Sequence, residues 1–396
     1  MEASDSTPDT SSGEPGTAVR IPAWTPPRFF DAAAGLPPSP GCLQWLEAGW
    51  GQAWADPAGR HAAAARSRAV LAESRRQIAD FLACSPSEVW FAPSADVALA
   101  TAATAMARGS RADRVLTTPL ERLATLASLD SIADRTAVDL CAVDVSGRVD
   151  PTALQAQIGA VPTGMVVLQA ANREIGTVQP VDQVAELARG AAHILVDASA
   201  VRHARDLPRR WDCIVLEPST WGGPSGVAVM ACRTSTPWTS AAPATTADRF
   251  PGRLAVPLVA AAAMTLPDSP QQYNEERRTK RLADSFAERV TGSLPDTVRL
   301  GAPEHRLGHV VSLSLLYVNA EQLVDDLSRL GFSVQSGSAC TADTKRPSHV
   351  LAALGVPTHG NLRVSLPPGC AEGELAELAT AVIGLVAQQR AEAGLA

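Results

Sequence analysis

Apolar residues recur along this chain in two periods, and the alternation between them predicts its architecture. From Arg66 to Leu82, Val70, Leu71, Ile78, Phe81 and Leu82 fall near helical spacing with charged residues opposite. A Ser-Pro-Ser turn follows, and after it a short strand at Val89-Trp90-Phe91. Strand-like apolar runs recur at Arg114–Leu116, Met165–Gln169, Ile194–Val196, Cys213–Leu216 and Val227–Met230, each bounded by turn residues or a helical stretch. Strands that alternate with helices predict an α/β protein.

The pattern breaks twice. A Pro-rich, weakly charged section runs from Ser235 to Pro251, and a second break at Pro267-Asp268-Ser269-Pro270 precedes a charged helix expected over Asn274–Val290. The final third then alternates a strand (His309–Leu316), a helix (Glu321–Leu330), a Gly/Ser loop, a helix (Ser348–Leu354), a strand (Leu362–Leu366) and a terminal helix from Gly373. The polar, acidic segment 1–22 cannot bury enough apolar surface to offset the entropy of ordering and is expected to be a disordered tail. It has neither the basic start nor the apolar stretch of a signal peptide. This divides the chain into a tail (1–22), a large domain (23–266) whose first residues pack on the small one, and a small C-terminal domain (267–396). No internal repeat is visible.

Composition narrows the function classes. With 46% hydrophobic and 19% charged residues the chain reads as an ordinary globular protein. A net charge of −7 does not favour nucleic acid or an anionic membrane. The longest apolar run, Ala255–Met264, contains Pro257 and is about half the length of a membrane span. The 7 cysteines form no CxxC pair and no metal-ligand spacing, so reduced thiols and a cytoplasmic location are expected. Of 34 basic residues only Lys280 and Lys345 are lysines.

Five stretches, in order, carry a family likeness: Phe30–Pro37, Val89–Asp96, Asn172-Arg173-Glu174-Ile175-Gly176-Thr177-Val178-Gln179-Pro180, Ser336-Gly337-Ser338-Ala339-Cys340-Thr341 and Asn361–Leu366. Together they resemble the cysteine desulfurases, members of the class V aminotransferase group of fold-type-I enzymes that use pyridoxal phosphate (PLP). The resemblance covers nearly everything after residue 28. It implies a large domain with a doubly wound, mostly parallel sheet, a smaller C-terminal α+β domain carrying the cysteine loop, and a homodimer.

PLP chemistry requires a lysine for the Schiff base, an acid on the pyridine nitrogen, and neutral or cationic donors around the phosphate. On the substrate side, Cys340 matches the family's nucleophile, its alternative being a small apolar core residue. Arg363 matches the clamp on the substrate carboxylate, or else forms a structural ion pair. Asn172 matches the asparagine near the cofactor ring. Asp197, ending the Ile194–Val196 strand, matches the pyridinium partner, or else caps the next helix.

The cofactor side departs from the family at its centre. In Leu216-Glu217-Pro218-Ser219-Thr220-Trp221-Gly222-Gly223-Pro224-Ser225-Gly226 the Gly-Pro-x-Gly turn aligns without a gap. Thr220 then stands at the lysine position, Ser219 at the preceding histidine, and Glu217 at the phosphate-binding serine. Ala200 replaces an expected glutamine, Arg122 the ring-stacking histidine, and Ala95-Asp96 the phosphate-binding Ala-Thr. A carboxylate about 4 Å from a unit of phosphate charge costs on the order of 4 kcal/mol at an effective dielectric near 20, so bare Asp96 and Glu217 would both oppose the phosphate. Arg253, near the place where the family's partner subunit lends a threonine, either compensates in part at the phosphate or, as the stronger expectation, pairs with one of these acids. Lys280 lies in a charged, solvated helix, and Lys345 on the cysteine loop lacks fixed positioning.

The sequence therefore reads as a desulfurase-like protein without PLP-dependent catalysis and without a cofactor, a noncatalytic, regulatory or sulfur-relay relative acting through Cys340. The alternative is an active PLP enzyme with a remodelled site. Expected partners are a second copy, an active desulfurase or a sulfur acceptor, with no nucleic acid and no membrane.

Overall fold

The computed structural model describes residues 28–110, 114–240, 249–250, 252–267, 270–337 and 347–395. The expected tail, 1–22, lies outside them. In chain order the strands are β1 (Arg28–Phe29), β2 (Val89–Ala92), β3 (Arg114–Thr117), β4 (Ala137–Leu140), β5 (Met165–Gln169), β6 (His193–Asp197), β7 (Cys213–Leu216), β8 (Ala228–Cys232), β9 (Thr297–Arg299), β10 (Val310–Leu315), β11 (Phe332–Ser333), β12 (Gln335–Ser336) and β13 (Asn361–Ser365).

Seven strands form the larger sheet in the order β2-β8-β7-β6-β5-β3-β4. β3 to β7 run parallel, and β8 is antiparallel to both its neighbours. A parallel sheet is covered on both faces, so its strands read as continuous apolar runs rather than as alternating ones. The period of two survives as a sorting between faces. Val166, Leu168, Val196, Ile214 and Leu216 enter one core, while Met165, Val167, Leu195, Cys213 and Val215 enter the other.

Small residues set the helix packing. The helix Ala95–Ser110 puts Ala98, Leu99, Ala102, Ala103 and Met106 against the second core. The apolar run at 255–264 folds as the buried helix Val256–Met264, crossing the helix Pro40–Gln52 so closely that a Cβ at Gly49 would lie 3.0 Å from Pro257 Cα. No helix among the described residues is long and apolar enough to cross a membrane.

The smaller sheet is antiparallel, β12-β13-β10-β9, and is backed by the helices Pro270–Ser293 and Glu372–Glu392 over a separate core. The chain enters through this core: β1 pairs in parallel with β11, and Phe30 packs against Phe332 and its neighbours. Expected and observed elements agree closely here. The predicted strand His309–Leu316 is β10, and the predicted helix Ser348–Leu354 is His349–Ala353, capped by the Ser348 hydroxyl on the Leu351 amide. The charged helix runs longer than predicted, from Pro270, because proline is tolerated in a first turn whose amides have no intrahelical partner.

Candidate functional site

The carboxyl ends of the parallel strands converge on one cavity of about 380 Å³. Gln169 ends β5, Asp197 ends β6, and Glu217 directly follows β7. The Asp197 carboxylate accepts from the Ser199 amide at 2.9 Å, an Asx turn that sends the chain back over the strand end. It does not cap the following helical turn, Ala204–Asp206, whose N-cap is His203. Thr220 sits on the single turn Pro218–Trp221, which Gly222 closes at φ +86. Its hydroxyl donates to the Ser199 carbonyl at 2.7 Å, and the Ser219 carbonyl accepts from the Leu36 amide at 2.7 Å. Ala95 and Ala200 are buried, and Ala200 lines the cavity.

Above the cavity floor the charges are interlocked. Arg122 Nε donates to Asp96 at 2.6 Å, and its Nη1 reaches Ser199 Oγ at 3.0 Å and Glu217 at 3.6 Å. Arg173 Nη2 donates to the same Glu217 oxygen at 3.1 Å and to Ser199 Oγ at 3.2 Å. Burial alone would lower the Arg122 guanidinium, but the carboxylates of Asp197, Asp96 and Glu217 outweigh it and hold Arg122 above its ordinary value. Arg173 is pushed down, by burial and by the like charge of Arg122. Two expectations are corrected. Asp96 and Glu217 are not bare acids, since each faces a guanidinium. Arg253 meets neither; within this chain it pairs with Asp56 at 3.1 Å on the surface.

Asn172 builds the wall. Its carbonyl accepts from the amides of Glu174 and Ile175 (2.9 and 3.0 Å), and its amide donates to Leu120 O and Gln169 Oε1 (both 3.3 Å). Arg363 is buried on β13 and donates from Nη2 to Asp31 at 2.7 Å; it does not line the cavity. Cys340 lies outside the described residues. The residues on either side of its segment, Gly337 and Pro347-Ser348, both line the cavity.

The aminotransferase class-V family profile matches residues 43–244. The chain belongs to this family. It is 25% identical to a cysteine desulfurase of Archaeoglobus fulgidus over 350 residues, covering 85% of this chain and 91% of that one. It is 28% identical to a cysteine desulfurase of Cereibacter sphaeroides over 346 residues, covering 83% and 87%. Among solved structures it resembles a NifS-like protein, with a TM-score of 0.80 and 22% identity over 91% of this chain and 99% of that chain. The apo cysteine desulfurase of Thermococcus onnurineus shares the fold with a TM-score of 0.75 and 18% identity, over 91% and 95%.

Within this class-V fold, four cavity residues escaped the sequence reading. Arg173 stands inside the quoted Asn172–Pro180 stretch, where only its proximity to Glu217 gives it a role. Ser199 is the hydroxyl on which both arginines converge. Glu121 is buried and held by the Thr118 hydroxyl at 2.7 Å; burial, with Asp197 nearby, raises its carboxyl to about 8. Glu174 accepts from Ser348 Oγ at 2.9 Å, and burial raises it to about 7 against the Ser348 bond and the Arg363 charge. Neither glutamate carries a sequence signal for burial, since each follows polar or turn residues and its burial depends on what folds over it.

Proposed function

We propose that this class-V protein is a noncatalytic relative of the cysteine desulfurases that works without PLP and accepts or relays sulfur through Cys340. The observation that carries this reading is the Thr220 contact. The family's Schiff-base position holds a hydroxyl that cannot form an imine and already donates to the Ser199 carbonyl. No lysine lines the cavity among the described residues, and Lys280 pairs with Asp284 on a surface helix. Where the resemblance implies phosphate donors, Arg122 and Arg173 are engaged by Asp96 and Glu217. The described residues therefore do not fit PLP.

The thiolate is the species that exchanges sulfur, and it needs exposure and a moderate pKa rather than a cofactor. Gly337, three residues before Cys340 in the chain, lines the cavity. A second copy as partner is supported by an exposed apolar surface on the helix Pro40–Gln52 and beyond it: Leu43, Trp45, Trp50 and Trp54. Six described cysteines are free thiols, in keeping with a reducing compartment such as the cytoplasm. The alternative, an active PLP enzyme, draws its support from relatives of similar length named cysteine desulfurases.

Two measurements decide. Titration of the purified protein with PLP should leave the cofactor absorbance unshifted, and borohydride reduction should trap no lysine adduct. An active desulfurase supplied with cysteine should pass persulfide sulfur to this protein, and Cys340→Ser should abolish the uptake. Stoichiometric PLP with a lysine adduct restores the enzyme reading; equal sulfur uptake by Cys340→Ser ends the relay reading.

A further inference from the structure

We propose that Cys213 and Cys232 form an oxidation site for hydrogen peroxide, closing from two thiols to one disulfide across β7 and β8. The site lies apart from the cavity and does not depend on how Cys340 works.

The two cysteines are direct cross-strand partners in the antiparallel pairing of β7 with β8. Just beyond them the Arg233 amide donates to the Asp212 carbonyl at 2.7 Å, so Asp212 and Arg233 make a hydrogen-bonded position of the ladder. Such positions alternate, which makes Cys213 and Cys232 a non-hydrogen-bonded pair, the kind whose Cα atoms stand about 4.5 Å apart with side chains closer. A disulfide spans about 4.4–6.8 Å between Cα atoms. Both side chains enter the same core, and the thiols hydrogen-bond to each other. Strand pairing has thus brought the two sulfurs to where a bond can close.

The pair is chemically unequal. Cys213 donates its S–H to the Cys232 sulfur and Arg249 adds positive charge beside it, so Cys232 is drawn toward the thiolate. Burial and the same hydrogen bond hold the proton on Cys213. Arg249 is fixed in place by two aromatic rings, its guanidinium 3.9 Å from the Trp238 ring centre and 5.1 Å from that of Trp90. Cys213 opens β7 and Cys232 closes β8, so the pair sits at the end of the sheet away from the cavity, one residue from the partly exposed Asp212 and Arg233. Both sulfurs are covered, which keeps bulky reagents out and leaves the site to an oxidant little larger than water.

The Cys232 thiolate attacks one peroxide oxygen. The O–O bond breaks, Cys232 becomes a sulfenic acid, and the hydroxide that leaves takes a proton from the medium to give water. The Cys213 sulfur then attacks the Cys232 sulfur; the S–O bond breaks, and the departing hydroxide carries off the Cys213 proton as a second water. Each sulfur gives up one electron, and the peroxide accepts both.

The test uses the purified full chain, reduced and freed of reductant, treated with hydrogen peroxide at pH 7.5, then unfolded in an alkylating agent and digested with trypsin. One tryptic peptide, Trp211–Arg233, holds both cysteines. It should be recovered without label and two hydrogens lighter than the dithiol, and should take two labels once reduced. The peptides of Cys84 and Cys141, whose thiols burial raises, should stay open to alkylation. Cys213→Ala should halt at a Cys232 sulfenic acid that dimedone captures, and Cys232→Ala should leave Cys213 a thiol. A Trp211–Arg233 peptide that still takes two labels after peroxide, or Cys232 found in a disulfide with any other cysteine, would overturn the proposal. Wild-type mapping decides even if a variant fails to fold.

Discussion

Glu217 stands at the place where the family resemblance implies a phosphate-binding serine, and two arginines hold it there. On that resemblance a carboxylate takes the place of a neutral donor and Arg122 that of a ring-stacking histidine, and in the fold these charges pair with one another. Adding the missing amine alone does not undo this. Thr220→Lys should bind PLP no better than wild type, because Arg122 and Arg173 remain on Asp96 and Glu217 and the new ammonium loses the Thr220 bond to Ser199. A shifted absorbance band and desulfurase activity in that single variant would refute the argument. Reactivity should separate the cysteines as well. Burial raises the thiols of Cys84 and Cys141 to about 11. Cys232 is pulled down by a hydrogen bond from Cys213, yet it is 1% exposed and so shielded from reagents. An alkylating probe should therefore label Cys340 before any of these four in a timed mass-spectrometric series.

The buried glutamates and histidines should shape the pH profile of stability. Glu121 and Glu174 have folded values raised from 4.5 to about 8 and about 7, so they favour the fold fully below about pH 4.5 and progressively less as pH rises through 7 to 8. His203, lowered from 6.5 to about 4, and His309, lowered further by burial, act the other way, weakening the fold as pH falls below 6.5. Between pH 6.5 and about 7 the glutamates act with little opposition and the melting temperature should fall; above about 7 Cys232, lowered from 9.0 to about 7, opposes them and the decline should slacken. Glu121→Gln should flatten that decline; an unchanged slope in thermal melts would show that Glu121 is already ionised in the fold.

At the scale of elements, the site depends on a few close backbone approaches. The loop Asn172–Gly176 is pressed against the chain entering β10, where a Cβ at Gly301 would lie 2.2 Å from the Ile175 carbonyl oxygen, and Gly301 has φ +85. Both the contact and the conformation demand glycine. Gly301→Ala should destabilise the protein by about 2–4 kcal/mol in chemical unfolding, combining backbone strain with overpacking. Gly190→Ala, with φ +76 but no atom within 4 Å, carries the strain without the clash and should cost less. Equal losses would mean that the close approach to Ile175 relaxes freely.

For the whole molecule, the surface around the helix Pro40–Gln52 points to self-association. Trp45, Trp50 and Trp54 are exposed on or just beyond one helix, in a chain with only 8 tryptophans. Such a concentration of aromatic area is typical of an interface core. Light scattering at micromolar concentration should report a dimer. Replacing Trp50 and Trp54 with Ser should shift it toward monomer at the same concentration without changing the far-UV spectrum. A monodisperse wild-type monomer would remove the second-copy partner.

The alternation of strand-like runs with helical periods determined the α/β architecture, since patterning alone decides which faces must be covered. Motif spacing, a property of the chain, also put Thr220 where the resemblance implies the lysine, and Asp96 and Glu217 where it implies phosphate donors. What it did not contain was the company these residues keep. The resemblance brought Arg122 to a site position, but as a substituted histidine, and Arg253 was expected to answer the new acids. Tertiary structure instead set Arg122 and Arg173 on the acids and left Arg253 with Asp56. Arg363, read either as a clamp or as an ion pair, meets Asp31 332 positions away. Charge partners and burial are properties of packing between distant segments, and period and spacing carry no information about them.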